Sequence, residues 1–120
     1  MKKIGFITRN KVLAQSLSSL IKNNLDLPFE PYVLLNFEQA TIDVGILKID
    51  IAIIEMIEEA LSLCEELRKT DPECRILLLV PQDNKELCDL AMKAVRVKSI
   101  DDYVFLDTSL DYLLAKLLTL

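Results

Sequence analysis

The sequence predicts a doubly wound α/β domain: a five-stranded parallel sheet with helices on both faces. Three observations carry that prediction. Short strand-like apolar runs alternate strictly with stretches of helical periodicity, five of each. Such alternation supplies the right-handed crossovers that parallel strands need. The third run, Ile49 to Ile54, is rich in β-branched residues, and the fourth, Arg75 to Val80, holds five consecutive apolar residues, as strands covered on both faces require. A length of 120 residues makes residues 1–120 a single domain, large enough to enclose a core.

The first run is Ile4 to Ile7, and Asn10 offers an N-cap for the helix that follows. Leu13, Leu17, Leu20 and Ile21 recur as one amphipathic stripe of that helix. Asn23 and Asn24, with Pro28 and Pro31 beyond them, end it and lead to a second strand, Tyr32 to Leu35. Phe37, Ala40, Thr41 and Val44 fit one helical face, but Thr41, Ile42, Val44 and Gly45 are poor helix formers, so a short helix is expected between Phe37 and Leu47. After the third strand, Ala60, Leu61, Cys64 and Leu67 line a helix that stops at Asp71-Pro72. After the fourth, Asp83 or Asn84 can cap a helix with Leu87, Leu90, Ala91, Ala94 and Val95 inward. Tyr103 to Leu106 is the fifth strand. Thr108 or Ser109 caps a last helix with Leu110, Leu113, Leu114, Leu117 and Leu118 inward.

Composition removes several function classes. The chain is 52% hydrophobic but only 6% aromatic, so its core must be built from Leu, Ile and Val. A net charge of -5 repels phosphate backbones and anionic lipid, so neither nucleic acid nor membrane is an expected partner of this domain. No apolar run approaches the roughly 20 residues of a membrane span. Arg9, Asn10 and Lys11 interrupt the first apolar stretch too early for a signal peptide after Met1-Lys2-Lys3. Cys64, Cys74 and Cys88 match no metal or disulfide spacing and read as free thiols in a reducing cytoplasm. Without histidine there is no histidine nucleophile pair, general base or metal ligand. Two glycines, Gly5 and Gly45, cannot form a glycine-rich phosphate loop. Gly5, within a strand, marks either close packing or close approach of a ligand, with packing favoured. No catalytic residue, metal or cofactor is expected.

Function in an open parallel sheet gathers beyond the C-terminal strand ends, here Thr8 to Asn10, Asn36, Glu55-Met56, Val80-Pro81 and Leu106-Asp107. Two phrases at such places, Ile49-Asp50-Ile51-Ala52-Ile53-Ile54-Glu55 and Asp101-Asp102-Tyr103-Val104, together with the length and element order, resemble the receiver domain of two-component response regulators over essentially the whole chain. The resemblance implies a flavodoxin-like strand order, 2-1-3-4-5. It also implies a phosphorylation site, and the sequence departs from that site at every position. Two metal-holding acids after the first strand become Thr8 and Arg9, and a guanidinium opposes magnesium. The phosphoacceptor aspartate becomes Glu55, the hydroxyl residue of the fourth strand Val80, and the lysine of the fifth Leu106, followed by Asp107 in place of a proline. The turn after Glu55 is about three residues shorter than the family pattern, and the segment from Val80 to Tyr103 about one helical turn longer. Two roles for Glu55 remain open: a fixed mimic of a phosphorylated aspartate, or a partner of Arg9 across the neighbouring first and third strands.

The resemblance further implies a docking face on the fourth helix, fifth strand and fifth helix. It would present Lys93, Arg96, Asp101, Asp102, Tyr103, Asp111, Tyr112 and Lys116, either as an interface with a protein partner or homodimer, or simply as solvated charge. Tyr103 takes the place of an aromatic that reorients in active receivers; opposite Val80 it should be static. The last helix carries a wider apolar arc than one buried stripe needs, through Tyr112, Ala115 and Leu120. The expected function is a phosphorylation-independent protein-interaction module of signal transduction. The alternatives are a small-molecule sensor using the vacated pocket around Val80 and Leu106, and an atypical receiver that still accepts phosphate.

Overall fold

The computed structural model describes residues 1–24 and 26–120. Among them, strands β1 (Lys2–Ile7), β2 (Phe29–Leu34), β3 (Ile51–Glu55), β4 (Arg75–Val80) and β5 (Asp102–Phe105) alternate with helices α1 (Lys11–Asn23), α2 (Ala40–Leu47), α3 (Ala60–Thr70), α4 (Lys85–Arg96) and α5 (Leu110–Thr119). The strands form one parallel sheet in the order β2-β1-β3-β4-β5, as expected from the sequence.

Period-two alternation along the strands divides the core into two layers. Ile7, Ala52, Ile54, Ile76, Leu78 and Val80 point to α2, α3 and α4, where Val44, Leu67 and Ala91 meet them. Ile4, Phe6, Ile51, Ile53, Leu77 and Leu79 point the other way, to α1 and α5, where Ile21, Leu113 and Leu117 close the second layer. The central strands β3 and β4 are buried on both faces, which is why their sequences are almost uninterrupted Ile, Leu and Val.

Capping fixes where helices begin. The side chains of Asn10, Asn84 and Ser109 accept the N–H groups of Leu13, Leu87 and Tyr112, satisfying donors that the helix cannot. At the other end α4 stops in a Schellman arrangement. Ser99 N–H donates to Ala94 O and Lys98 N–H to Val95 O, with Lys98 left-handed at φ 61°. Lys48, also left-handed at φ 58°, closes α2, with its N–H and that of Ile49 both donating to Val44 O.

Several boundaries and faces differ from the sequence reading. β2 begins at Phe29 and contains Pro31, because β2 is an edge strand. Lys2 N–H donates to Pro28 O and Thr8 N–H to Leu34 O, so the even-numbered residues between them face β1. Pro31 therefore turns its missing donor outward, at no cost to the ladder. β5 runs from Asp102 and ends before Leu106, one residue earlier than expected. Leu20, Leu90 and Leu118 are exposed rather than inward, since Ala14 and Ser18 on α1, Ala91 and Ala94 on α4, and Leu113 and Leu117 on α5 already fill the sheet-facing arcs. Gly5 packs against side chains: an added Cβ would lie 3.3 Å from Ile49 and 3.4 Å from Leu34. Among the described residues no helix is long and apolar enough to cross a membrane.

Candidate functional site

The C-terminal ends of β1 and β3 lie side by side, with Ile7 level with Ile54, so the residues that follow each strand meet. Thr8, buried, donates its hydroxyl to Glu55 Oε1 at 2.7 Å. Arg9 N–H donates to the same oxygen at 3.1 Å. Asn10 N–H in turn donates to Thr8 Oγ1 at 2.9 Å, and Asn10 caps α1. Glu55 is thereby bound into the start of α1 by a chain of hydrogen bonds that begins in the backbone.

The ion pair expected between Arg9 and Glu55 does not form. The Arg9 guanidinium reaches past Glu55 to Glu59 Oε1 at 3.0 Å and stands 5.6 Å from the centre of the Phe37 ring. The reason is local: one Glu55 oxygen is already held by Thr8 and by the Arg9 backbone, and the long Arg9 side chain lies out toward the short turn that precedes α3. Glu59 and Phe37 are the members of this site that sequence reasoning missed. The signal for Glu59 was the brevity of that turn, which draws the start of α3 close to Arg9; Phe37, between β2 and α2, had none.

Beneath this network Met56 is buried and its N–H donates to Leu79 O at 2.8 Å, sealing the floor between β3 and β4. Val80 is fully buried in the core layer shared with α4. Leu106 stands above it, its N–H donating to Val80 O at 2.9 Å, and its side chain is partly exposed. An open cleft of about 410 Å³ is lined by Leu106, Pro81, Gln82, Asp83 and Asp107.

Magnesium takes near-octahedral oxygen ligands and is usually anchored by one or two carboxylates beside a phosphate. Thr8 and Arg9, which the resemblance sets in place of two metal-holding acids, bring no carboxylate, one oxygen of Glu55 is taken by two donors, and Glu59 is paired with Arg9. These residues do not fit the ion. Among the described residues no group of three His, Cys, Asp or Glu side chains is placed to hold any metal.

Of the residues expected on the fourth helix, fifth strand and fifth helix, some lie together and some apart. Asp102, Tyr103, Tyr112 and Lys116 come together around a groove of about 360 Å³ between β5 and α5. Lys116 Nζ lies 2.6 Å from Asp102 Oδ2 and 5.7 Å from the Tyr112 ring. The hydrogen bond from Lys116 to Asp102 holds the Lys116 ammonium charged above its usual range. Half-buried Tyr103 packs against the core and meets Phe105 edge-on, with ring centres 5.9 Å apart. Lys93, Arg96 and Asp111 are exposed on α4 and α5.

Asp101 is employed elsewhere. Its carboxylate accepts from Arg68 at 2.7 Å, Arg75 at 3.2 Å and the Ile76 N–H at 2.7 Å, tying the start of β5 to α3 and to the start of β4. Burial raises the Asp101 pKa, but the Ile76 N–H and the two guanidinium groups outweigh it and hold the carboxyl below the usual aspartate range. Arg68 and Arg75 were not singled out in the sequence, although pairing of β4 with β5 sets Arg75 beside the loop carrying Asp101.

No protein-family model and no curated protein sequence matches the chain. Solved structures do. The BeF3-activated N-terminal receiver domain of Klebsiella pneumoniae RstA superposes with a TM-score of 0.83 at 18% identity, covering 98% of this chain and 97% of its own. A response regulator receiver domain protein from Clostridium thermocellum gives 0.85 at 15% identity, with 99% and 93% covered. The Thermotoga maritima response regulator TrrA, in complex with Mg-BeF, gives 0.79 at 20% identity, with 99% and 98% covered. With strand order β2-β1-β3-β4-β5 and five helices alternating around it, this chain has the fold of a response-regulator receiver domain.

Proposed function

We propose that the domain is a phosphorylation-independent, non-enzymatic interaction module of signal transduction. The observation that carries this reading is the state of Glu55: its carboxylate is hydrogen-bonded by the Thr8 hydroxyl and the Arg9 N–H, in the place where a phosphoacceptor would need a metal and an open approach. Apolar Val80 and Leu106 offer a phosphoryl oxygen no donor side chain. With one oxygen bridging β3 to the start of α1, Glu55 acts as a fixed brace, and the groove between β5 and α5 is the surface through which a protein partner is read. Tyr103, packed in place beside that groove, presents one constant shape.

The test is an amide NMR spectrum recorded before and after magnesium, then beryllofluoride. Unchanged signals for Thr8, Glu55 and Val80 are expected. Saturable shifts at those residues would sink the reading and make the domain a working, if unusual, phospho-switch. The cleft beside Leu106 supports a second reading, a sensor of small molecules, which a metabolite-dependent rise in melting temperature would favour.

A further inference from the structure

α4 carries more apolar surface than the sheet uses. Ala91 and Ala94 are buried beneath it, while Leu90 and Val97, two turns apart, stand 44% and 62% exposed on another arc. That arc is not isolated. Leu90, Ala94 and Val97 line one bank of a groove of about 220 Å³, and Leu61 of α3 lines the other. Each bank carries one charge, Glu65 on α3 and Lys93 on α4.

The ion pairs of the domain leave these two charges aside. Asp101 is taken by Arg68 and Arg75, Asp102 by Lys116, and Arg9 by Glu59; among the described residues neither Glu65 nor Lys93 has an ionic partner within 4.0 Å. An apolar floor with one unpaired charge of each sign on opposite banks is self-complementary. A two-fold rotation brings Glu65 of one copy to Lys93 of the other and repeats the contact in reverse, which is the pattern an isologous interface demands.

We propose that the groove between α3 and α4 binds a second copy of this chain, forming a two-fold dimer with Leu90 and Val97 at its centre. The inference rests on reading the domain as an interaction module, and it places self-association on a surface separate from the groove between β5 and α5.

Sedimentation equilibrium up to about 1 mM protein tests it, because a complex half-assembles only near its dissociation constant. Glu65→Lys and Lys93→Glu should each weaken the dimer about tenfold or more, by setting like charges face to face twice. The double variant E65K/K93E should restore it, since both pairs re-form with reversed sign. Both sites are exposed, and an unchanged melting temperature identifies variants that remain folded. A chain that stays monomeric throughout, single reversals without effect, or a double variant no better than the singles would each overturn the proposal. Loss of the dimer on Tyr112→Ala, with E65K and K93E silent, would assign self-association to the α5 groove instead. That outcome, or plain monomer, leaves the reading as an interaction module standing, because magnesium and beryllofluoride test it separately.

Discussion

Asp101 joins three elements through one carboxylate, and its protonation should be felt by the whole fold. Its folded pKa is depressed, so the stability it contributes is complete above the unfolded aspartate value and is lost as pH falls through the folded one. Asp101→Asn should cost about 2 kcal/mol at neutral pH, because Arg68 and Ile76 N–H lose a charged acceptor in a half-buried place. Urea titrations at neutral pH and below about pH 4 check this: the variant should lose less stability on acidification than the parent. A second residue-scale expectation concerns thiols. Burial pushes Cys64 up to about 12 and Cys74 up to about 11, so both stay protonated near neutrality. A disulfide reagent at about pH 8 should modify the half-buried Cys88 first, and the other two only on unfolding. Fast modification of all three in the native state would contradict the burial.

How far the site was legible at this scale depended on what fixed each contact. Thr8 meets Glu55 because two adjacent parallel strands must end side by side, and that follows from topology alone. The choice of Glu59 over Glu55 by Arg9 depends on the path of a four-residue turn, which no periodicity encodes.

Helix α2 is the element on which propensity and structure pull hardest against each other. It forms where expected, in eight residues, despite Thr41, Ile42, Val44 and Gly45. Burial of Ala40 and Val44 against the sheet supplies what propensity withholds. Gly45 is exposed and helical, and an added Cβ would meet only Asp71 Oδ2 at 3.8 Å, an ordinary contact. Gly45→Ala should therefore stabilise the domain by about 0.5–1 kcal/mol, read as a higher urea midpoint at unchanged slope. The caps were the most legible feature of the helices, since Asn10, Asn84 and Ser109 stand just before apolar periodicity begins. Removing one, as in Asn84→Ala, should cost about 1 kcal/mol. Which leucines of a helix face inward was less legible. α4 and α5 each carry two apolar arcs, and sequence periodicity cannot rank them until the sheet has been placed.

At the scale of the molecule, the two-layer core makes substitution costs sharply unequal. Leu78 is fully buried in the central strand β4, whereas Leu118 is 58% exposed on α5. Leu78→Ala should cost about 3 kcal/mol and Leu118→Ala less than about 0.5 kcal/mol, measured by the same urea titration. Near-equal costs would mean that Leu118 is covered in solution. The fold class, the strand order and the central strands were all legible, because burial on both faces writes an unmistakable apolar run. Boundaries were less legible: the edge strands were misjudged by one to three residues, β1 begins two residues earlier than expected at Lys2, and β3 runs Ile51–Glu55 instead of Ile49–Ile54; only β4 has the bounds read from the sequence.

Pro31 has one more effect. The outer rim of β2 lacks a donor at its midpoint, and its neighbours along the chain are bulky Phe29 and charged Glu30. An intruding strand seeking to extend the sheet would find its central acceptor unanswered, while the opposite rim offers only the short β5. Fibrillar growth through backbone pairing is thus discouraged at both ends. Molecules that associate are steered to do so through their helices, where contacts are finite and reversible.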